Sequence, residues 1–174
     1  MLDPRLLYSF DPQLWESVRG TQPALLHLLD GYIDAGGVTH GSSRYLLETC
    51  EHDELVRFDH DQLHDYRSRR PQLIFDTDHW AGMVDYPLVI HKLIDAAGTP
   101  FLMLSGPEPD TQWHRMTAAV LGIAERLGVS RLVTVGAVPM AVPHTRPTLV
   151  TAHATQPETI SGNPMWIDRV QMPG

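Results

Sequence analysis

The sequence predicts an α/β fold in three layers, with helices on both faces of a largely parallel sheet. Three observations carry that expectation. Short apolar runs bounded by Gly or Pro recur at residues 25–29, 101–104 and 131–135, as in strands buried on both faces. Between the last two lies a helical pattern over 111–127, with Trp113, Met116, Thr117, Val120, Ala124 and Leu127 on one stripe and His114, Arg115, Glu125 and Arg126 off it. Gly128 stops that helix, so the unit reads as β-α-β, its two strands parallel neighbours joined by a right-handed crossover.

Taken in order, residues 1–22 set Leu6, Leu7, Tyr8, Phe10, Leu14 and Trp15 among Asp-Pro pairs. They read as an N-terminal arm that packs on the chain's own core or on a sister subunit. The main domain then spans 23–152. Its first strand, 23–29, runs into Asp30-Gly31-Tyr32-Ile33-Asp34-Ala35-Gly36-Gly37 and a helix over 39–48. A strand, a Gly-rich turn and a helix can hold phosphate at the helix N-terminus. Neither a Walker lysine motif nor a three-glycine dinucleotide fingerprint is present, however, and a tight turn explains Gly36 and Gly37 equally well.

Residues 54–58 alternate as a half-buried strand should. The charged segment 59–71 places His60 and His64 four apart, a possible zinc spacing with no third ligand defined, so a solvated helix is the simpler reading. Arg67, Arg69 and Arg70 suit either an anion or neighbouring acids. Residues 71–75 and 80–83 read as a hairpin with Asp76-Thr77-Asp78 at its tip. An amphipathic helix is expected over 86–97, with Leu88, Val89, Leu93 and Ile94 inward and Gly98 as its stop. The strand at 101–104 should end at Ser105. Gly106 then permits unusual backbone angles, and Asp110 or Thr111 can cap the next helix. Beyond Gly136 an irregular stretch with three prolines presents His144 and Arg146, and 148–152 returns as a strand. The last stretch, 153–174, is irregular and does not look like a natural close to an α/β domain; it reads as a truncation point.

Composition narrows the function classes. The chain has 174 residues, 43% hydrophobic and 20% charged, and a chain of that length buries roughly 70% of its extended surface. A net charge of −8 argues against nucleic acid or an anionic membrane as a general partner. The single Cys50 forms no internal disulfide, which suits a reducing compartment, and it reads as a small core residue rather than a nucleophile. No stretch approaches the length of a membrane span. A soluble, cytoplasmic protein is expected.

If the strands at 25–29, 101–104 and 131–135 are parallel, their following loops share one rim. That rim would gather Asp34, Gly36, Gly37, Glu108, Asp110, His144 and Arg146, a set compatible with acid–base work or anion binding. Ser105 lacks the elbow that activates a hydrolase serine, so no catalytic residue is assigned, and no cofactor or metal is implied. The alternative is structural: Glu108 and Arg146 as a buried ion pair locking two loops, with His144 bonded to backbone.

Four motifs carry a resemblance. Gly31-Tyr32-Ile33-Asp34-Ala35-Gly36, Asp65-Tyr66-Arg67-Ser68-Arg69-Arg70-Pro71, Ser105-Gly106-Pro107-Glu108-Pro109-Asp110 with Trp113, and Val142-Pro143-His144-Thr145-Arg146-Pro147, in that order, resemble the actinobacterial branch of the proteasome assembly chaperone family. The resemblance implies a fold related to that of purine nucleoside phosphorylases, self-association and a bacterial cytoplasmic setting. It also implies a structural role for Asp65, Tyr66, Arg69, Arg70, Pro71, Gly106, Pro109, Trp113, Pro143, Thr145 and Pro147. Eukaryotic and archaeal relatives assist assembly of, or bind, the core proteasome. Members of this branch continue beyond the point where this chain stops. Some archaeal relatives dock through a tail with a penultimate tyrosine, whereas this chain ends Gln171-Met172-Pro173-Gly174. The reading that follows is a non-enzymatic binding or assembly factor, with core proteasome subunits as possible partners. The alternatives are a small-molecule enzyme of the nucleoside phosphorylase or hydrolase kind, or a ligand sensor, each using the rim pocket.

Overall fold

The apolar runs at 25–29 and 101–104 form adjacent parallel strands at the centre of the molecule. The structure, a computed structural model, describes residues 2–163. Its elements are β1 (Tyr8–Phe10), α1 (Pro12–Val18), β2 (Ala24–Asp30), α2 (Val38–Thr49), β3 (Glu51–Phe58), β4 (Leu73–Asp76), β5 (His79–Met83), β6 (Val89–Ile94), β7 (Pro100–Pro107), α3 (Trp113–Leu127) and β8 (Arg131–Thr134). Six strands make one sheet in the order β1-β3-β6-β7-β2-β8, while β4 and β5 pair apart from it.

Alternation along the strands produces the expected layers. Leu25 and Leu29 of β2 and Leu102 and Leu104 of β7 face α1 and α3, in a core with Trp15, Val18, Met116, Val120, Ile123 and Leu127. The residues between them, Leu28 and Met103, face α2 and pack with Leu46, Leu47 and Cys50. The architecture is therefore α/β with helices on both faces. Parallel pairing is confined to β7-β2-β8, and β1–β3, β3–β6 and β6–β7 are antiparallel. The strands at 101–104 and 131–135 are parallel but not neighbours, because β2 lies between them and α3 crosses over it.

The largest departure is at 86–97, where β6 replaces the expected helix. Leu88, Val89, Ile90 and Leu93 are all buried, as a strand covered on both faces requires. Its apolar run is short and β-branched, and three-to-four spacing within it is indistinguishable from continuous burial. Gly98 (φ 80°) serves the β6–β7 hairpin rather than a helix end. The Asp95 carboxylate accepts hydrogen bonds from the amides of Ala97 (2.9 Å) and Thr99 (2.8 Å), closing that turn.

Smaller corrections follow the same logic. The expected strand at 148–152 is irregular, with 148–150 exposed, and joins neither sheet among the described residues. His60–Gln62 is a single 3₁₀ turn instead of a solvated helix. The buried stripe of α3 is rotated by about one position: Arg115 is buried and Trp113 is exposed. Arg115 donates to the Asp3 carbonyl (3.0 Å) and to the side-chain oxygens of Gln62 (2.6 Å) and Gln112 (3.0 Å), so its burial is hydrogen-bonded. Neither Asp110 nor Thr111 caps α3; Gln112, with φ 57°, occupies that position.

The N-terminal residues lie on the chain's own core. β1 pairs with β3, Leu7 and Trp15 are buried, and the Arg126 guanidinium sits 4.5 Å over the Trp15 ring. At the other end, 153–163 contains one 3₁₀ turn, Pro157–Ile160. Residues 164–174, including the C-terminal Gln171 to Gly174, lie outside the described residues. Among the described residues no helix is long and apolar enough to cross a membrane.

Candidate functional site

The C-terminal ends of β2, β7 and β8 do bring their loops together. The Glu108 amide donates to the Asp30 carbonyl (3.2 Å), and the Ala35 amide to the Ala137 carbonyl (3.0 Å). Within this rim the carboxylates meet backbone amides. Asp34 accepts from the Thr39 amide (2.9 Å), the Thr39 hydroxyl (3.0 Å) and the His40 amide (3.3 Å). Desolvation raises the Asp34 pKa, but these donors outweigh it and hold the carboxyl below its ordinary value. Gly36 (φ 71°) and Gly37 (φ 66°) provide the left-handed turn that lets the chain double back onto α2.

Glu108 reaches across to the first Gly-rich loop. Its Oε1 accepts the Tyr32 amide at 2.9 Å, and Oε2 lies where a Cβ on Gly31 would approach to 2.7 Å. Asp110 reaches the other way. Its Oδ2 accepts the Asp65 amide (2.8 Å), and its Oδ1 pairs with Arg69 Nε (3.0 Å). The Asp65 carbonyl and carboxylate in turn accept the amides of Ser68 (2.9 Å), Arg69 (3.0 Å) and Arg67 (3.0 Å), winding 65–70 into a tight turn. The segment 105–110 is thus the hub to which two other motif segments are fastened. Gly106 belongs to the same hub: with φ 118°, any Cβ there would collide with the Pro87 carbonyl oxygen.

His144 and Arg146 stand apart. Both are exposed, and the Arg146 amide closes a local turn onto the Pro143 carbonyl (3.0 Å), flanked by Thr145 and Pro147. Among the described residues no hydrogen bond or ion pair links either side chain to Asp34, Glu108 or Asp110. The Glu108–Arg146 ion pair is therefore replaced by the Glu108–Tyr32 contact. Pro109 completes the hub loop, Trp113 opens α3 with its ring exposed, and Tyr66 donates to Asp61 Oδ1 at 2.6 Å. Arg70 is exposed, as is the hairpin that follows Pro71.

Sequence reasoning missed a histidine–carboxylate pair at this rim. His40 Nδ1 lies 3.1 Å from Asp30 Oδ2, while Asp30 Oδ1 is buried without a hydrogen-bond partner. An acidic residue closing a strand immediately before a glycine was the available signal. His64 is also inside: burial, then the Arg69 charge, lowers its pKa, and its Nε2 is buried without a partner. Among the described residues no group of three or more His, Cys, Asp or Glu is placed to hold a metal.

The surface offers a different kind of feature beside the rim. An open groove of about 560 Å³ lies between α2 and β8, walled by Leu26, Leu28, Val38, Tyr45, Leu46 and Val135. Of the rim residues singled out above, only Gly37 borders it. Its walls are apolar, and Tyr45, Val38 and Val135 stay exposed along it.

Comparison with known proteins fits this arrangement. No curated protein matches the sequence. Among solved structures, a protein of unknown function from Mycobacterium tuberculosis, Rv2714, is 44% identical, with TM-score 0.85 over 97% of this chain and 58% of its own. A protein of unknown function from Corynebacterium glutamicum is 35% identical, with TM-score 0.86 over 97% of this chain and 63% of its own. This chain therefore spans about three-fifths of the length of either. The proteasome-assembly chaperone homologue Rv2125 of Mycobacterium tuberculosis shares the fold, with TM-score 0.78 at 20% identity over 87% of this chain and 64% of its own. The sequence profile of the PAC2 family covers residues 28–174, which takes in the hub and every loop fastened to it, and the chain belongs to that family.

Proposed function

We propose that this protein is a non-enzymatic, self-associating assembly factor of the cytoplasm whose working surfaces are apolar faces rather than the charged rim. One observation carries the reading. Of Asp34, Glu108 and Asp110, the carboxylates best placed for chemistry, Glu108 and Asp110 accept the amides of Tyr32 and Asp65 from distant loops, and Asp34 accepts those of Thr39 and His40 at the start of α2. Carboxylates so engaged staple loops together, and a general base needs a free lone pair directed at substrate. Membership of the PAC2 family and the fold shared with a proteasome-assembly chaperone homologue support the assembly role and make core proteasome subunits the first partners to test.

The test is affinity purification of the natural full-length protein from its own cell lysate, with bound proteins and small molecules read by mass spectrometry. Proteasome α or β subunits are expected in near-stoichiometric amounts. A nucleoside or phosphate ester bound stoichiometrically, and released on mutation of His40 or Asp34, would overturn the reading in favour of an enzyme or sensor at the rim.

A further inference from the structure

His64 sits where the segment 59–71 is fastened to the hub. On one side of it, the Leu63 carbonyl accepts the amides of Asp110 (2.9 Å) and Thr111 (3.1 Å). On the other, the Asp65 amide donates to Asp110 Oδ2 (2.8 Å). The Nε2 of His64 is buried without a hydrogen-bond partner. Charged groups face the ring from both segments. Arg69, which pairs with Asp110 at 3.0 Å, disfavours a charged imidazole, and so does His60, whose ring meets that of His64 edge to face at 6.0 Å. Asp110 and the Pro107 carbonyl act the other way. Beyond His60, Asp85 lies 3.8 Å from its Nδ1 and 3.5 Å from an Arg57 nitrogen. Burial and the two like charges outweigh Asp110, and the pKa of His64 is lowered. The same segment is one of the two tethers of the β4–β5 hairpin, which makes no strand pair with the main sheet.

We propose that His64 is an acid-sensitive latch: protonation of its imidazole releases segment 59–71 from the hub and frees one tether of the β4–β5 hairpin. A neutral ring fits the closed site. An imidazolium there would carry a buried N–H without an acceptor, beside the Arg69 guanidinium, and both features are costly. In the released segment the ring meets water and titrates near its ordinary 6.5. The released state therefore takes up the proton first as pH falls. The latch is fully closed above that value. Each pH unit below it multiplies the released population by at most about ten, until the closed ring also binds its proton. Release uncovers Leu63, which is fully buried in the closed state, and withdraws the Asp65 amide from Asp110.

The latch goes beyond the assembly role and does not rest on it. The experiment is hydrogen exchange of the 174-residue chain, read by mass spectrometry at about pH 7.5 and about pH 5.5 and corrected for the intrinsic pH dependence of exchange. The amides of 64–69, closed onto His60, Asp65 and Asp110, should open up to about tenfold more at the lower pH. His64→Gln should abolish that ratio, whatever it does to the opening at either pH alone. Arg69→Gln should shrink it, because the closed ring then holds its proton more readily. His91, the other histidine with a buried unpartnered nitrogen among the described residues, lies in β6 and supplies the control. His91→Leu should leave the acid response of 64–69 in place, and His64→Gln should leave that of β6 and β7 in place. No acid response in 64–69, a response that survives His64→Gln, or one removed by His91→Leu would overturn the proposal.

Discussion

β6 and β8 are both short and apolar, yet they end in opposite environments. Val89, Ile90 and Leu93 of β6 are fully buried between β3 and β7. Leu132 and Val133 of β8 are exposed at the edge of the sheet, beside the apolar groove. The lesson is that apolar composition makes a strand available for burial, while its neighbours decide whether burial happens. One side of the sheet is closed by the hairpin into β7 and by β3. The other side has β2 as its last well-covered strand.

The sharpest way to break this contrast is matched truncation. Leu93→Ala should lower stability by about 3 kcal/mol, because a buried leucine leaves a cavity the sheet cannot refill. Leu132→Ala should lower it by about 1 kcal/mol, since nearly half of that residue already faces water. Urea unfolding of both variants measures the difference. Equal losses would mean that β8 is covered as well as β6.

pH sharpens the contrast further. His91 sits within β6, and burial, followed by the neighbouring His52 charge, lowers its pKa from 6.5 to about 4. Its Nδ1 is buried without a hydrogen-bond partner. The unfolded imidazole therefore takes up a proton as pH falls through 6.5, while the folded one stays neutral until about 4. Stability is full above that window and declines on acidification through it, by at most about 3 kcal/mol. Thermal melts across this range should show the decline, and His91→Leu should flatten it.

The smallest expected effects separate the rim from the loop beyond β8. Asp34→Ala removes the acceptor for the first free amides of α2 and should cost about 1 kcal/mol. Arg146→Ala, at an exposed turn, should cost less than about 0.5 kcal/mol. A larger loss for Arg146 than for Asp34, read from melting temperatures, would reverse the assignment of which rim residues hold the loops.

Much of the organisation was legible locally. The hairpin at 71–83 was readable because two β-rich runs flank a short acidic turn. The glycines after β2 and α3 were readable because left-handed turns favour glycine. The Gly31, Asp65 and Ser105 motifs were visible as units, but not that Glu108 and Asp110 fasten the other two to the third. Tyr32 and Glu108 are 76 positions apart, and Asp65 and Asp110 are 45. No spacing in the chain announces such a pairing. The misread helix at 86–97 has a related cause, since a six-residue strand buried on both faces carries no period.

By itself, then, the sequence determined where apolar runs, turns and two of the helices lie, because those depend on interactions within a few residues. The tertiary structure alone decided that β6 enters the sheet, that β2 separates β7 from β8, and that Glu108 and Asp110 accept the amides of distant loops. Those outcomes depend on which distant segments the fold brings within hydrogen-bonding distance, and a buried donor or acceptor takes whichever partner the crossing chains supply.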